Sequence, residues 1–448
     1  MGGIKKWLAN AKYTPQKLKD KLNAPSTPSA PTQPKPWDKL ADFMSTGVSV
    51  GVAVESNTAD VKIGQGVALA AKNDLNITAK SVIEDTQMQI TGKSNNYDKD
   101  TSNKALVNAS VLYGKLDNTA TVTVAGGEEA QGSAPATNVT LTGGKVNIAA
   151  NSSFEYNRIN RMVQEVKDAC AKVKAAYKGE NHADIEAKAD ALSNAADAFF
   201  NYAKDNCFSS NGGEQVDFMD LFGGQKFKDF TDACSALTGA LGNEATDIAV
   251  GPLNVVSAAA AFANPNSYLN FSAGSANGGK SGPGENEKPA TIALAGSAVA
   301  TDISNNARVL IGKNANIKAG NELAMKAASK QFDVSLAGKL GLNGGGKNAA
   351  GGTFAIGLAD ANSLVAVAQG AKLTAGSVDI GTENKIDHIQ LSLGAGKGTT
   401  SGVSGMVGYL EGASNSLVSV DDEAVINAGT GAVNLNAKND TNVYSAAG

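Results

Sequence analysis

Along the last part of the chain, apolar residues fall in three short bursts of period two, at Val418 and Val420, at Ala424, Ile426 and Ala428, and at Val433, Leu435 and Ala437. Polar or glycine turns separate them, the pattern of strands that bury one face. The template returns with Val365/Val367, Leu373 and Val378/Ile380, with Val309/Ile311, Ile317 and Leu323/Met325, and with Val61/Ile63, Leu69 and Leu75/Ile77. In these copies the first and second bursts are always 8 residues apart, as in 309 to 317 and 365 to 373. A further copy runs from Val122/Val124 to Val139/Leu141 and Val146/Ile148 around an insert at Gly126 to Pro135, and a stacked repeat tolerates insertion at a turn.

Before each copy stands a strand of small residues ending near Asn57, Asn118, Asn305, Asn362 or Asn415. The step is 56 residues from Asn306 to Asn362 and 53 from Asn362 to Asn415. Strands at this period without intervening helices predict a β-solenoid, with two or three coils in each unit. The expected fold is mainly β, a right-handed parallel β-helix in two blocks, since parallel crossovers are right-handed.

Between the blocks the period changes to 3.6. From Glu155 to Tyr177 the apolar positions Ile159, Met162, Val163, Val166, Cys170, Val173 and Tyr177 share one helix face, and Asp184 to Cys207 repeats this with Ile185, Ala189, Leu192, Ala196, Phe199 and Ala203. Further helices are expected near Val216 to Phe222, Lys226 to Leu241 and Asn243 to Phe262, giving an inserted α-helical lobe. The divisions read from this are a helical remnant over 1–24, a Pro-rich linker over 25–44, solenoid blocks over 45–153 and 291–448, the lobe over 154–264, and a Gly- and Pro-rich linker over 265–290.

Composition agrees with a narrow stack: 50 glycines and 5% aromatic residues in 448. Small and β-branched side chains fit its interior, and Gly or Asn its corners. The net charge of −4 is spread without a basic stripe, which argues against a nucleic-acid partner. No apolar run reaches transmembrane length, and the stretch after Met1 has no signal-peptide h-region, so the chain reads either as intracellular or as an internal piece of a longer one. The repeat, which runs to Gly448 without a capping element, argues for the second.

The chemical motifs are few. Gly274 to Ser281, GSANGGKS, satisfies a phosphate-loop pattern, but Gly282-Pro283-Gly284 cannot open the helix that such a loop needs, so a flexible link is expected. His182 and His388 lie in different blocks without metal spacing, and both are expected at solvent-exposed positions. Asp421, Asp422 and Glu423 form the one tight acidic cluster in a repeat; their counterparts are Ala368, Gln369 and Gly370, so a solvated turn is expected rather than an acid/base pair. No catalytic, metal or cofactor residue is assigned, and no cofactor is expected. Cys170, Cys207 and Cys234 all lie in the lobe, where one disulfide or simple burial are both open readings. The lobe holds much of the aromatic content; Phe199, Phe227 and Phe230 have core spacing, and Phe200, Tyr202, Phe208, Phe218 and Phe222 are the candidate partner contacts.

The phrases DVKIGQGVALAAKNDLNITA, ANIKAGNELAMKAA, AKLTAGSVDIGTEN and AVINAGTGAVNLNA resemble the repeats of large filamentous, haemagglutinin-like adhesins and exoproteins of Gram-negative bacteria exported by two-partner secretion, nearest to the leukotoxin-type adhesins. The resemblance covers roughly 45–153 and 291–448; the helical lobe and the lack of an N-terminal secretion domain depart from it. It implies a β-helix shaft at the cell surface or outside the cell, attachment to a host-cell or matrix surface, an outer-membrane transporter as export partner, and leukocyte toxicity as a secondary implication. The reading is therefore a non-enzymatic adhesin segment, with the shaft as spacer and the lobe as partner module; a polysaccharide-degrading β-helix enzyme or a leukotoxin-like segment is the alternative.

Overall fold

The computed structural model describes residues 44–84, 86–94, 105–128, 137–155, 158–177, 182–207, 224–244, 269–277, 290–338, 346–394 and 400–447. The chain divides into two compact units, Met1–Met44 and Ser45–Gly448, and the description concerns the second. The expected N-terminal helices, the Pro-rich linker and the helix over Val216 to Phe222 lie outside the described residues, as does most of the helix expected from Asn243.

In chain order the strands are β1 (Met44–Ile63), β2 (Ala68–Ala70), β3 (Asp74–Glu84), β4 (Met88–Ser94), β5 (Ala105–Val124) and β6 (Thr140–Glu155). Three helices follow, α1 (Arg158–Ala176), α2 (Ala183–Cys207) and α3 (Gln225–Glu244). The chain continues as β7 (Phe271–Asn277), β8 (Ala290–Ile311), β9 (Asn316–Gly338), β10 (Gly346–Val367), β11 (Lys372–Thr374), β12 (Ser377–Leu393), β13 (Ser401–Val420), β14 (Val425–Asn427) and β15 (Val433–Ala447). The described residues are mainly β, and the strands pair in parallel.

Strands alternate between two sheets. The first runs β1-β5-β8-β10-β13; in the second, β9 lies between β6 with β7 and β11 with β12, and β14 and β15 form the far edge. Register follows the repeats residue for residue: Val365 pairs with Val309 and Val418, Leu373 with Ile317 and Ile426, and Ile380 with Met325 and Leu435. Each strand thus stacks on the copy one unit away, so a unit contributes one pass to each sheet, not two or three coils. Length explains the difference: β10 alone has 22 residues, about 70 Å at ~3.3 Å per residue, and two such passes use up the unit.

The chain passes between sheets through tight turns, as at 312–315, 368–371 and 421–424. Their third residue is left-handed in each case, Asn314 (φ 55°), Gly370 (φ 70°) and Glu423 (φ 60°), matching Gly66 (φ 71°) in the first copy. That conformation suits Gly and Asn and costs a glutamate about 1 kcal/mol. Beside the turns, the inward rows of both sheets, including Val309, Val365, Ile317, Leu373 and Ile380, merge into one buried apolar cluster.

Farther along the strands the interior becomes polar. Ser81 donates to Asn118 (2.6 Å), Asn118 to Asn305 (3.1 Å), Asn305 to Gln331 (3.3 Å) and Gln331 to Asp333 (2.9 Å), all buried. Opposite-sheet strands are tied in the same way, with the Ser363 hydroxyl donating to Asn384 Oδ1 at 2.5 Å. Because buried polar groups must pair, this seam tolerates few alternative registers.

Candidate functional site

The helical lobe enters the fold in the middle of a strand. Phe154 at the end of β6 pairs with Gln331 of β9, and Phe271 at the start of β7 pairs with Ser335 of the same strand. On their other side Glu155 pairs with Glu84 of β3, and Phe271 with Met88 of β4. Residues 156–270 therefore stand where the chain between β3 and β4 has only 85–87, and 155–270 where β9 has only 332–334. The segments flanking the lobe are in line within one layer.

β7 also replaces the first half of the expected flexible link over 265–290. Its small residues suit a narrow sheet interior, and the Phe271 ring lies so close to Gly114 of β5 that a Cβ there would come within 2.5 Å of it. At the break, buried Asn270 does the pairing. Its N–H donates to Val334 O (2.9 Å), its Oδ1 accepts from the Val334 N–H (2.9 Å), its Nδ2 donates to Thr86 O (3.1 Å), and its carbonyl accepts from the Met88 N–H (2.8 Å). Every polar group of Asn270 is thereby used, and the interrupted strand keeps its ladder.

The lobe is packed, not projecting. Val166, Val173, Leu192, Phe199, Phe230 and Leu237 share one cluster with Val334 and Leu336 of β9 and Leu391 of β12 on the outer face of the second sheet. From Asp333 to Gly338 every residue of β9 is buried, because one face meets the first sheet and the other meets the helices. The helix-face residues expected from Met162 to Tyr177 and from Ile185 to Phe199 are buried wherever their side chains are described. Lys167–Asp197 (2.9 Å) and Lys174–Asp190 (2.7 Å) join α1 to α2 at the surface, where such pairs add little.

Of the candidate contacts, Phe200 and Tyr202 are half-buried and pack against this cluster. Phe208, Phe218 and Phe222 lie outside the described residues. Phe199 and Phe227 meet at 5.7 Å between ring centroids, and Phe230 is fully buried, the core role their spacing suggests. Cys170 and Cys234 are free thiols, and burial pushes them up to about 11 and about 12 respectively. Both remain protonated at neutral pH and are poor nucleophiles.

His388, expected at an exposed position, is fully buried. The parallel register sets it beside Asp333, and its Nδ1 lies 2.8 Å from Asp333 Oδ1 and 2.7 Å from Oδ2. A carboxylate only accepts, so Nδ1–H is the donor. Its Nε2 is turned toward Gly357 of β10, where a Cβ would come within 2.5 Å of it, and has no hydrogen-bond partner among the described residues. Enclosed between the sheets, the pair ties β12 to β9 at the end of the polar seam.

The remaining motifs sit in ordinary structure. Gly274 to Asn277 are part of β7 paired with β4, and 278–281 lie outside the described residues. Asp421 to Glu423 form an exposed turn, with Glu423 accepting from Gln369 (3.1 Å). His182 lies at the start of α2, edge-on to Tyr177 at 5.4 Å. Among the described residues there is no cluster of metal-ligating side chains and no helix long and apolar enough to cross a membrane. Comparison with protein-family models, curated proteins and solved structures gives no match.

Proposed function

We propose that this chain is part of the shaft of a filamentous surface adhesin, its two parallel sheets forming the faces of a right-handed β-helix, or β-solenoid. The observation that carries the reading is the residue-for-residue register of the copies: Val309, Val365 and Val418 stack at one position, and Ile317, Leu373 and Ile426 at another. A fold whose layers are interchangeable extends by adding layers, and its product is reach. Outside the cell, after passage through an outer-membrane transporter, such a shaft carries a contact module away from the surface. The single-copy helical lobe is that module, and a host-cell or matrix surface is its partner.

The register shows how to remove the lobe. Replacing residues 156–270 by Asp-Thr-Gln, the residues at 85–87, joins β6 to β7 as β3 is joined to β4. Val334→Thr and Leu336→Thr then make the uncovered face of β9 polar. The expected product keeps the parallel-β circular dichroism and an elongated particle by electron microscopy, and loses binding to cultured host cells or matrix-coated surfaces. Undiminished binding would place the contact on the shaft, and a compact particle would sink the β-helix reading.

A further inference from the structure

The outer face of the first sheet is apolar over half its length and nothing in the described fold covers it. On β1, Val48, Val50, Val52 and Val54 all point outward and are 62–70% exposed. Across the sheet, Ala350 of β10 pairs with Leu294 of β8 and Val403 of β13, and Phe354 pairs with Ala298 and Val407, making two outward apolar rows. Between them runs a row of Gly296, Gly352 and Gly405, with Ala109 of β5 beside it. A Cβ on any of these glycines would have no neighbour nearer than 3.9 Å, so the row is an open trough between two ridges.

From this face we infer that two copies of the chain associate through their first sheets, related by a two-fold axis. With strands antiparallel across the axis, the Phe354 ridge of each copy, two residues or about 7 Å from the trough, seats in the glycine trough of the other. Sheet faces pack in this manner, with side chains interdigitated about 10 Å apart. The footprint suffices: seven residues along and five strands across give about 23 by 24 Å, or roughly 550 Å² per copy. The total of roughly 1,100 Å² exceeds the ~1,000 Å² of a specific interface, and the patch is as large as monomers usually leave bare.

Two observations favour a second copy over a lipid surface. Beyond the patch the sheet carries Asp117, Asp302, Asp360 and Glu411 against Lys115, an acidic rim that anionic headgroups repel. The antiparallel arrangement puts the two rims at opposite ends, so they do not face each other. The second sheet, moreover, covers the apolar outer residues of β9 and β12 with packed protein, the helical lobe.

Sedimentation velocity of the full chain is the test. A monomer–dimer equilibrium is expected at concentrations up to about 100 μM, and Phe354→Lys or Val50→Lys should weaken it at least about ten-fold by burying an unpaired charge. Both side chains point away from the core, so circular dichroism should be unchanged; if one variant misfolds, the other decides. A wild-type chain that stays monomeric throughout would overturn the proposal. So would a dimer indifferent to the folded variant, or flotation with phosphatidylcholine or phosphatidylglycerol vesicles that the substitution abolishes while self-association is absent.

Discussion

Replacing Asp333 by alanine is the sharpest probe of the polar seam. The carboxylate accepts from Gln331 Nε2 at 2.9 Å and from His388 Nδ1 at 2.8 Å, and all three residues are buried. Truncation leaves two enclosed donors without an acceptor, at about 1–3 kcal/mol each, so the expected loss is about 2–6 kcal/mol. Asp117 is the control: a half-exposed carboxylate 3.3 Å from Lys115, whose removal should cost at most about 1 kcal/mol. His388→Ala should also destabilise, by about 1–3 kcal/mol, because it removes a donor from the enclosed Asp333 carboxyl group. The double variant Asp333→Ala/His388→Ala should then lose clearly less than the two single losses combined, because each single change strands the other partner. Urea midpoints followed by far-UV circular dichroism measure these differences, with an unchanged slope showing that the folded states are comparable. Equal shifts for Asp333→Ala and Asp117→Ala, or strictly additive single effects, would refute the seam as a structural device.

Two other predictions concern the apolar interior and the lobe. Ile317→Asp, fully buried in the stacked row, should cost several kcal/mol and abolish cooperative loss of the β signal, whereas outward Lys318→Asp should change stability by no more than about 0.5 kcal/mol; equal effects would refute the inward and outward assignment. Cys170 keeps its proton to about 11 in the folded lobe against 9.0 ordinarily, so above pH 9 the unfolded chain binds fewer protons than the native one and stability falls with rising pH. The contribution is complete below pH 9 and drains away toward pH 11 at about 1.4 kcal/mol per unit; urea unfolding of the helical signal should show a slope that Cys170→Ala reduces, and identical slopes would exclude the thiol as its source.

Much of the β architecture was legible because its inward rows repeat. The constant step of 8 between bursts aligned Val309 with Val365 and Ile317 with Leu373, the pairings that the sheets adopt. The size of the layer was hidden because the small-residue stretches before each Asn read as lead-ins, when they are the first half of strands that run on into the bursts. The buried pair lies past the last apolar burst of its copies, where the repeat carries polar residues instead. Met325 stacks on Ile380 at an offset of 55, and the same offset carries Asp333 onto His388. β7 escaped because FSAGSAN has the composition of a linker, although its small residues belong where the facing sheet comes close, with the Ser275 N–H donating to Ser297 Oγ of β8 at 3.0 Å. The candidate aromatics could not be divided by spacing alone, since a helix packed on a sheet buries a wider arc than one exposed on its far side.

Placing the lobe at a strand break has a consequence for the order of assembly. Lengthening the connection from 85–87 to 156–270 raises its closure entropy by about 3 kcal/mol if the connection is slack. That cost falls when the helices fold first, because Leu269, beside Asn270, packs in the same buried cluster as the helices, and Asn270 then meets Thr86 and Met88. Growth of the second sheet is thus expected to pause after β6 until the local, fast-forming helical unit is in place, and to resume at β7. A chain that emerges from N- to C-terminus would find this pause built in, and helix–helix packing, not strand pairing, would set how long it lasts.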